Sequence, residues 1–586
     1  MTEVRYPRPV PTVGDVSTAA ERREDPAGWA MGADVTAALA QVVGGRRDIR
    51  RYRPDPVPEE LLMAVLDAGH AAPSVGHSQP WRFVVVTDPV TRDRAAHMAD
   101  RARLEQAAGL TSERAARMLD LKLEGLREAP VGVVVACDRR TPAAGVLGRA
   151  TFPDADMWSC ATAVENMWLS ARAHGLGMGW VTLFEPAELA DLLGLPDGVE
   201  TLGWLCLGWP DERPPEPGLQ RAAWSRKVPL EQVVVRDRWD EGGAPAPASS
   251  YLAPAGGDGG PRGPEAGRLV AATDAADDLL SPPESLGVLD RAVNRVLALG
   301  GAEVTSGTLV LSGADHPVTA RGVSAYPASS TRDVLTASVA GSSLGAAAAA
   351  EAGLGIVVVD AGVDGGAVEG ARVLRGPGER GDLASADAMT EADVRALVEG
   401  GRAVGAEAAG QGLVCLGEVG VGNTTVAAAL ACALLGLEPQ DAVGLGAGAD
   451  AGIVERKRAV VAEALARVAG ERDPLRLLAA LGGPEIAVLT GVVLGAAGAG
   501  GVVVLDGLAG SLPGVLASRL EPGVQGHLLA GQVSRERAHA LVLRDLGLEP
   551  LLSLRLRSGE GVGACLAASL VLQGLAMRRL VARTHP

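Results

Sequence analysis

Lysine is nearly missing from this chain: Lys122, Lys227 and Lys457 are the only three in 586 residues. Arginine carries the remaining basic charge, a bias typical of GC-rich genomes, so a lysine at a motif position is worth noticing. Positive charge as a whole is in short supply, with 71 acidic against 54 basic side chains and a net charge of −17. Nucleic acid is excluded as a partner on that ground, because phosphate binding needs clustered cations. Cysteine pairs are missing too. The six cysteines (Cys137, Cys160, Cys206, Cys415, Cys432, Cys565) are scattered, without a Cys-x-x-Cys spacing. Neither a metal site nor a disulfide framework is expected, and a reducing cytoplasm is. No apolar run accompanies the charges at Glu3 and Arg5, so no secretory leader is expected. One uncharged stretch, Ile486 to Leu505, could span a bilayer by length alone. Its five glycines, and the Asp506-Gly507 that follows, make it instead a helix, a glycine turn and a buried strand. No membrane partner is expected.

What is present divides in two. The chain is too long for one ordinary core, and 47% hydrophobic residues supply material for several. Residues 1–34 read as a flexible arm rich in Pro and charge. Residues 241–267 (EGGAPAPASSYLAPAGGDGGPRGPEAG) have little to bury and read as a linker. A front domain over 35–240 and a rear domain over 268–586 remain. In front, Glu59–Ala71 and Asp156–His174 have helical patterns; Arg82–Val86, Val131–Cys137 and Met178–Leu183 are short apolar strands. Behind, Thr308–Ser312, Ile356–Asp360, Leu413–Leu416 and Gly501–Leu505 alternate with Ala-rich helices. That alternation predicts α/β architecture, with a parallel sheet in the rear half.

The front domain opens with Arg46-Arg47-Asp48-Ile49-Arg50, whose guanidiniums suit a phosphate. About 25 residues on, Ala72-Pro73-Ser74-Val75-Gly76-His77-Ser78-Gln79-Pro80-Trp81 forms a tight loop feeding a strand, able to offer N–H groups and hydroxyls to a flat polar ring. With Leu121–Gly125, Val146–Arg149, Gly177–Thr182, Cys206–Gly208 and Trp224–Arg226, these segments resemble the nitroreductase-like flavin fold, an α+β fold, and more specifically 5,6-dimethylbenzimidazole synthase. The resemblance implies that reduced FMN reacts with O2 and is itself broken down to 5,6-dimethylbenzimidazole. It assigns the acid/base to Asp48, where ordinary nitroreductases carry Ser, and a supporting hydroxyl to Thr182, where the family has Ser. Arg46, Arg47, Arg50, Pro73, Ser74, Gln79, Gly179 and Arg226 are the implied flavin-binding residues. His77 and Ser78 depart from the family's apolar pair. Whether NAD(P)H binds here or serves a separate flavin reductase stays open.

The rear domain carries Ser312-Gly313-Ala314-Asp315-His316, Gly322–Pro327, Cys415–Thr425, Gly444–Gly448 ahead of a helix with Lys457, and Ser558–Ala564. Glycines at strand-to-helix turns let N–H groups approach a phosphate. Together with Pro282–Gly287, Arg380–Leu383, Leu489–Gly495 and Leu505–Gly507, these collinear segments resemble nicotinate-nucleotide:dimethylbenzimidazole phosphoribosyltransferase, an α/β domain with a Rossmann-like parallel sheet. The resemblance implies that Glu560 takes the imidazole proton of the base. The other ring nitrogen attacks the ribose of nicotinate mononucleotide, giving α-ribazole 5′-phosphate and nicotinate. Tyr326, Glu418, Gly420, Gly446, Gly448 and Lys457 are the implied substrate contacts. Departures fall at Ala340–Gly345 in place of a GGAAIN-like helix start, at Gly531-Gln532 in place of Ser-His, and at Glu284 in place of Gly.

The two halves share a logic, because the first yields the base that the second consumes, and fusion keeps that base near the second site. The expectation is a bifunctional enzyme of cobalamin lower-ligand synthesis, homodimeric as both families are. Two other readings stay open here: a plain flavin nitroreductase in front, and a non-catalytic nucleotide-binding module behind.

Overall fold

The computed structural model describes residues 17, 19–119, 121–235, 237, 260–282, 284–444 and 451–584. The chain forms two compact units, Trp29–Gly243 and a second unit made of Met1–Gly28 with Ala244–Pro586.

The front unit is built on a four-stranded antiparallel sheet in the order β1-β2-β4-β3. Its strands are β1 (Trp81–Val86), β2 (Val131–Asp138), β3 (Gly177–Val181) and β4 (Val199–Gly208). β2 runs Val-Gly-Val-Val-Val-Ala-Cys-Asp and is buried on both faces. A β-branched run that is never exposed needs cover on each side. The helices Glu59–His70 and Ala155–Ala173 cover one face through Leu62, Val65, Met167 and Trp168. Ala95, Ala99, Leu126 and Leu189 pack on the other with Trp204. Asp48 pairs with Met178 as an isolated parallel bridge, so the arginine-rich segment runs along the free edge of β3.

The rear unit holds a seven-stranded, wholly parallel sheet in the order β11-β10-β9-β8-β5-β6-β7. Its strands are β5 (Gly307–Ala314), β6 (Gly355–Gly362), β7 (Arg372–Val373), β8 (Leu413–Val419), β9 (Val503–Leu505), β10 (Leu528–Gln532) and β11 (Pro550–Leu552). The stretch Ile486–Leu505 becomes a fully buried helix, Pro484–Gly498, a turn, and then β9. Among the described residues no helix is long and apolar enough to cross a membrane. One face of the sheet packs on the helices Glu391–Ala409, Asn423–Leu435, Pro484–Gly498 and Leu508–Leu520, and the other on Val288–Ala298 and Val562–Leu580. In a parallel sheet all strands end on one edge, and ligands bind in the crevice beyond those ends. Glu418, Asp506 and Gln532 stand at the carboxyl ends of β8, β9 and β10.

Within the segment read as an arm, Ala19–Glu24 is helical. Arg22 and Arg23 lie 3.8 and 3.9 Å from Asp277 and Asp274 of the rear unit. Residues 241–259 of the segment read as a linker lie outside the described residues, and its last residues begin the helix Ala266–Asp277.

Candidate active sites

In the front unit the three arginines read as a phosphate cradle have separate partners. Arg46 lies over the Trp168 ring, 4.4 Å from its centroid, and 3.7 Å from Glu165. Arg47 donates to the carbonyls of Gly44, Arg46 and Pro215 at 2.7–2.8 Å. Arg50 pairs with Asp48 and donates to the Trp180 carbonyl at 2.9 Å. The first turn of helix Ala155–Ala173 faces the APS loop: the Val75 N–H donates to Ser159 Oγ at 3.0 Å. Ser74 Oγ accepts the Gln79 N–H at 3.0 Å, while the Pro73 carbonyl accepts from Thr162 at 3.2 Å. His77 and Gln79 both take left-handed backbone (φ +52° and +46°), conformations that store strain where surrounding contacts enforce them.

Asp48 keeps 42% of its side-chain surface open and accepts the Trp180 N–H at 3.3 Å. Desolvation by the surrounding protein raises its pKa even though Arg50 pulls the other way. Thr182 is exposed just past β3. Gly179 has a packing reason to be glycine: a Cβ there would sit 2.3 Å from the Ile49 carbonyl oxygen. Arg226 is exposed in an irregular segment. A cavity of about 680 Å³ opens beside this edge, walled by Arg47, Ile49, Arg53, Trp168, Arg172 and Arg213. Asp48 is not among its walls; the alternation of an extended segment turns Arg47 and Ile49 into the cavity and Asp48 away from it.

In the rear unit two adjoining lobes, about 380 and 320 Å³, share a wall of Glu418, Asn423, Thr424, Arg557, Ser558 and Gly559 at the carboxyl edge of the sheet. The smaller lobe has Val323, Val334, Tyr326, Gly420, Lys457 and Glu560. The larger is lined by Asp506, Ser534, Arg535, Arg537 and the start of helix Leu508–Leu520. Of the residues expected here, Tyr326, Glu418, Gly420, Lys457 and Glu560 therefore meet in one lobe, whereas Gly446 and Gly448 lie outside the described residues. Gly420, too, is held to glycine by packing: a Cβ would fall 2.6 Å from the Ala314 carbonyl oxygen and 2.9 Å from His316 Nε2.

Glu560 has φ +62°, a left-handed backbone that costs a residue with a side chain roughly 1–2 kcal/mol. Its N–H donates to the Glu418 carbonyl at 3.1 Å, and its Oε2 accepts the Gly345 N–H at 3.0 Å. The departing segment Ala340–Gly345 thus orients the carboxylate. Glu418, almost fully buried at the end of β8, accepts from Asn423 Nδ2. Burial, with Glu485, Asp506 and Glu560 nearby, pushes its pKa up to about 8. Asp506 is pushed up to about 6 by burial, opposed by the Gln532 amide at 2.8 Å and by the N–H groups of Gly561, Gly563 and Ala564. Lys457 Nζ donates to Thr424 at 2.9 Å, and burial lowers its pKa. Behind Gly420, His316 Nε2 lies 3.3 Å from the fully buried Glu485.

Asn423, Asp506, Arg535 and Arg557 were not singled out from the sequence as site residues. Asp506 had a legible signal, an acid at the exit of a β-branched run; the arginines had none.

Comparison with known proteins fits this division. A phosphoribosyltransferase family model matches residues 263–585. The chain belongs to the phosphoribosyltransferase family. A nitroreductase family model matches residues 43–209, so this phosphoribosyltransferase carries a nitroreductase-family domain on its N-terminal side. The rear half is 39% identical over 302 residues to nicotinate-nucleotide–dimethylbenzimidazole phosphoribosyltransferase of Thermus thermophilus, covering 50% of this chain and 90% of that protein. A crystal structure of the Thermus thermophilus enzyme superposes with a TM-score of 0.51 at 37% identity, over 54% of this chain and 97% of that one. The front half is 41% identical over 184 residues to 5,6-dimethylbenzimidazole synthase of Rhodospirillum rubrum, covering 31% of this chain and 87% of that protein. The chain therefore joins a nitroreductase-like flavoprotein domain to a phosphoribosyltransferase with a parallel sheet.

Proposed function

We propose that this chain carries out two consecutive steps of cobalamin lower-ligand synthesis. The front unit converts reduced FMN and O2 to 5,6-dimethylbenzimidazole. The rear unit transfers phosphoribose to that base from nicotinate mononucleotide. The observation that carries the reading is the two-lobed rear cleft: Glu560, Tyr326, Val323 and Val334 stand in one lobe, Arg535, Arg537 and a helix N-terminus stand with Asp506 in the other, and Glu418 and Arg557 are shared. A neutral benzimidazole suits the first and an anionic nucleotide the second.

In that cleft Glu560 accepts the proton from one imidazole nitrogen as the other bonds to the anomeric carbon. The bond from that carbon to the pyridine nitrogen breaks, and nicotinate leaves with the electron pair. Glu418, neutral near pH 7 because its site is dry, adds no second negative charge and can donate a hydrogen bond. Lys457, bonded to Thr424 on the wall that both lobes share, and the arginines hold the nucleotide, and Tyr326 borders the base.

In front, Arg50 Nη1 is buried without a partner among the described residues, as is Arg47 Nε. Orphaned cationic donors beside Asp48 fit an anionic flavin. Arg46, Arg47, Arg50, Pro73, Ser74, Gln79, Gly179 and Arg226 would hold it, and reduced FMN with O2 supplies the oxidative chemistry. Asp48 moves protons through its carboxylate, and Thr182 offers a hydroxyl nearby. NAD(P)H, bound here or serving a separate reductase, would supply the reducing equivalents. The pairing of Asp48 with Arg50 favours one rival, a plain flavin reductase in which Asp48 is structural. Spectra in air separate the two: fragmentation bleaches the flavin once per turnover, while a reductase restores it. Release of nicotinate from nicotinate mononucleotide plus dimethylbenzimidazole tests the rear half.

The working form is a homodimer through the front unit. Helix Ala33–Gly45 buries none of its residues, and Trp29, Leu39, Phe152 and Trp158 are more than half exposed, an apolar surface that a second copy would cover. Light scattering tests this. Six unpaired, buried cysteines support a reducing cytoplasm.

A further inference from the structure

The larger lobe of the rear cleft has two walls that come from distant parts of the chain. One is the first turn of helix Leu508–Leu520, capped by Gly507; the other is the segment after β10 that begins at Ser534. His539 joins them. It is fully buried, and its Nδ1 accepts the Ser534 backbone N–H at 2.8 Å. An Nδ1 that accepts carries no hydrogen, so in the neutral ring the proton is on Nε2. Nε2 lies 3.0 Å from Ser511 Oγ, one turn into the helix, and therefore donates to it. Ser534 Oγ is 3.0 Å from Nδ1, so its hydroxyl also turns towards the ring. One imidazole thus ties both walls. Burial lowers its pKa to about 4, which keeps the ring neutral, and both bonds intact, at physiological pH.

Resting on the reading of this cleft given above, we propose that His539 is a positioning residue that sets the width of the nucleotide lobe, and through it the affinity for the phosphoribosyl donor rather than the chemistry. It touches neither the base lobe nor Glu560. Loss of the clasp lets Ser534 and the helix turn move apart, so the donor is bound less well while the proton transfer at Glu560 is unaltered.

The test is steady-state nicotinate release by the full chain. His539→Ala should raise KM for nicotinate mononucleotide about tenfold, the loss expected for a hydrogen bond or two. Its kcat and its KM for dimethylbenzimidazole should stay within about threefold. His539→Gln, which can both accept and donate, should restore part of the affinity. Ser511→Ala removes one arm without opening a large cavity and should raise the same KM about threefold, which keeps the test alive if His539→Ala does not fold. An unchanged donor KM in folded His539→Ala or in Ser511→Ala overturns the proposal, as does an equal fall in kcat with KM unmoved. Failure of the wild-type chain to release nicotinate would instead overturn the proposed function.

Discussion

The two units treat their key carboxylates in opposite ways. Asp48 stands at a sheet edge with 42% of its side chain open and a guanidinium bound to it. Glu418 and Glu560 stand where parallel strands end, and Glu418 is nearly sealed, with Asn423 as its hydrogen-bond donor and three other acids in its field. Both arrangements raise a carboxyl pKa, the first by a partial desolvation that outweighs an opposing arginine, the second by burial and like charge together. An antiparallel sheet edge gives a carboxylate one wall. The carboxyl edge of a parallel sheet surrounds it with strand ends and helix starts. The rear carboxylates are thus surrounded by strand ends and helix starts of one unit, while Asp48 keeps part of its surface open.

That contrast can be broken at several points. Glu560→Gln should lower nicotinate release by about 10²–10⁴-fold, the range for losing a general base, with flavin bleaching by the same polypeptide unchanged. A parallel fall in both would mean that the units do not act separately. Asp48→Asn should slow bleaching by about 10²-fold while FMN binding, followed by fluorescence quenching, persists; wild-type bleaching would leave Asp48 as Arg50's partner only.

The burial of Glu418 has a consequence for stability. Its folded pKa of about 8 lies above the ordinary value of 4.5, and that of Asp506, about 6, lies above 3.8. The folded state then binds more protons than the unfolded one, so this contribution is present at low pH and lost as pH rises towards the folded values. Unfolding free energy of the ligand-free chain should fall between about pH 4.5 and 8, by up to about 1.4 kcal/mol per pH unit for each proton held. Glu418→Gln should flatten the slope in denaturant melts, and a slope that rises with pH would refute the burial argument.

The smallest effect belongs to the front. Arg50→Met should change stability by no more than about 1 kcal/mol, because a partly exposed ion pair contributes little. It should also move the alkaline limb of the bleaching rate to higher pH, since Arg50 is what opposes the upward shift of Asp48. A limb that moves down would detach it from Asp48.

Much of this fold was legible because stretches such as Val131–Cys137 and Leu413–Leu416 are apolar, largely β-branched or Leu runs bounded by turn residues. The rear site was legible too, as motifs at strand exits. What could not be read depends on neighbours remote in sequence. That the Glu418 pKa is pushed up so far follows from its burial and from the like charge of Glu485 and Asp506, which arrive on a different helix and at the end of a different strand. That Gly179 and Gly420 serve packing follows from the Ile49 and Ala314 carbonyls lying against them. Spacing showed that the three arginines are close but not which partners they have within the chain, which are Trp168, the Pro215 carbonyl and Asp48.

The most direct test supplies the full chain with reduced FMN, O2 and nicotinate mononucleotide, without any added base. Two sequential activities on one polypeptide predict that flavin colour is lost, that nicotinate appears in proportion, and that a product with the mass of α-ribazole 5′-phosphate accumulates. Return of the oxidised flavin spectrum with no nicotinate released would contradict the account.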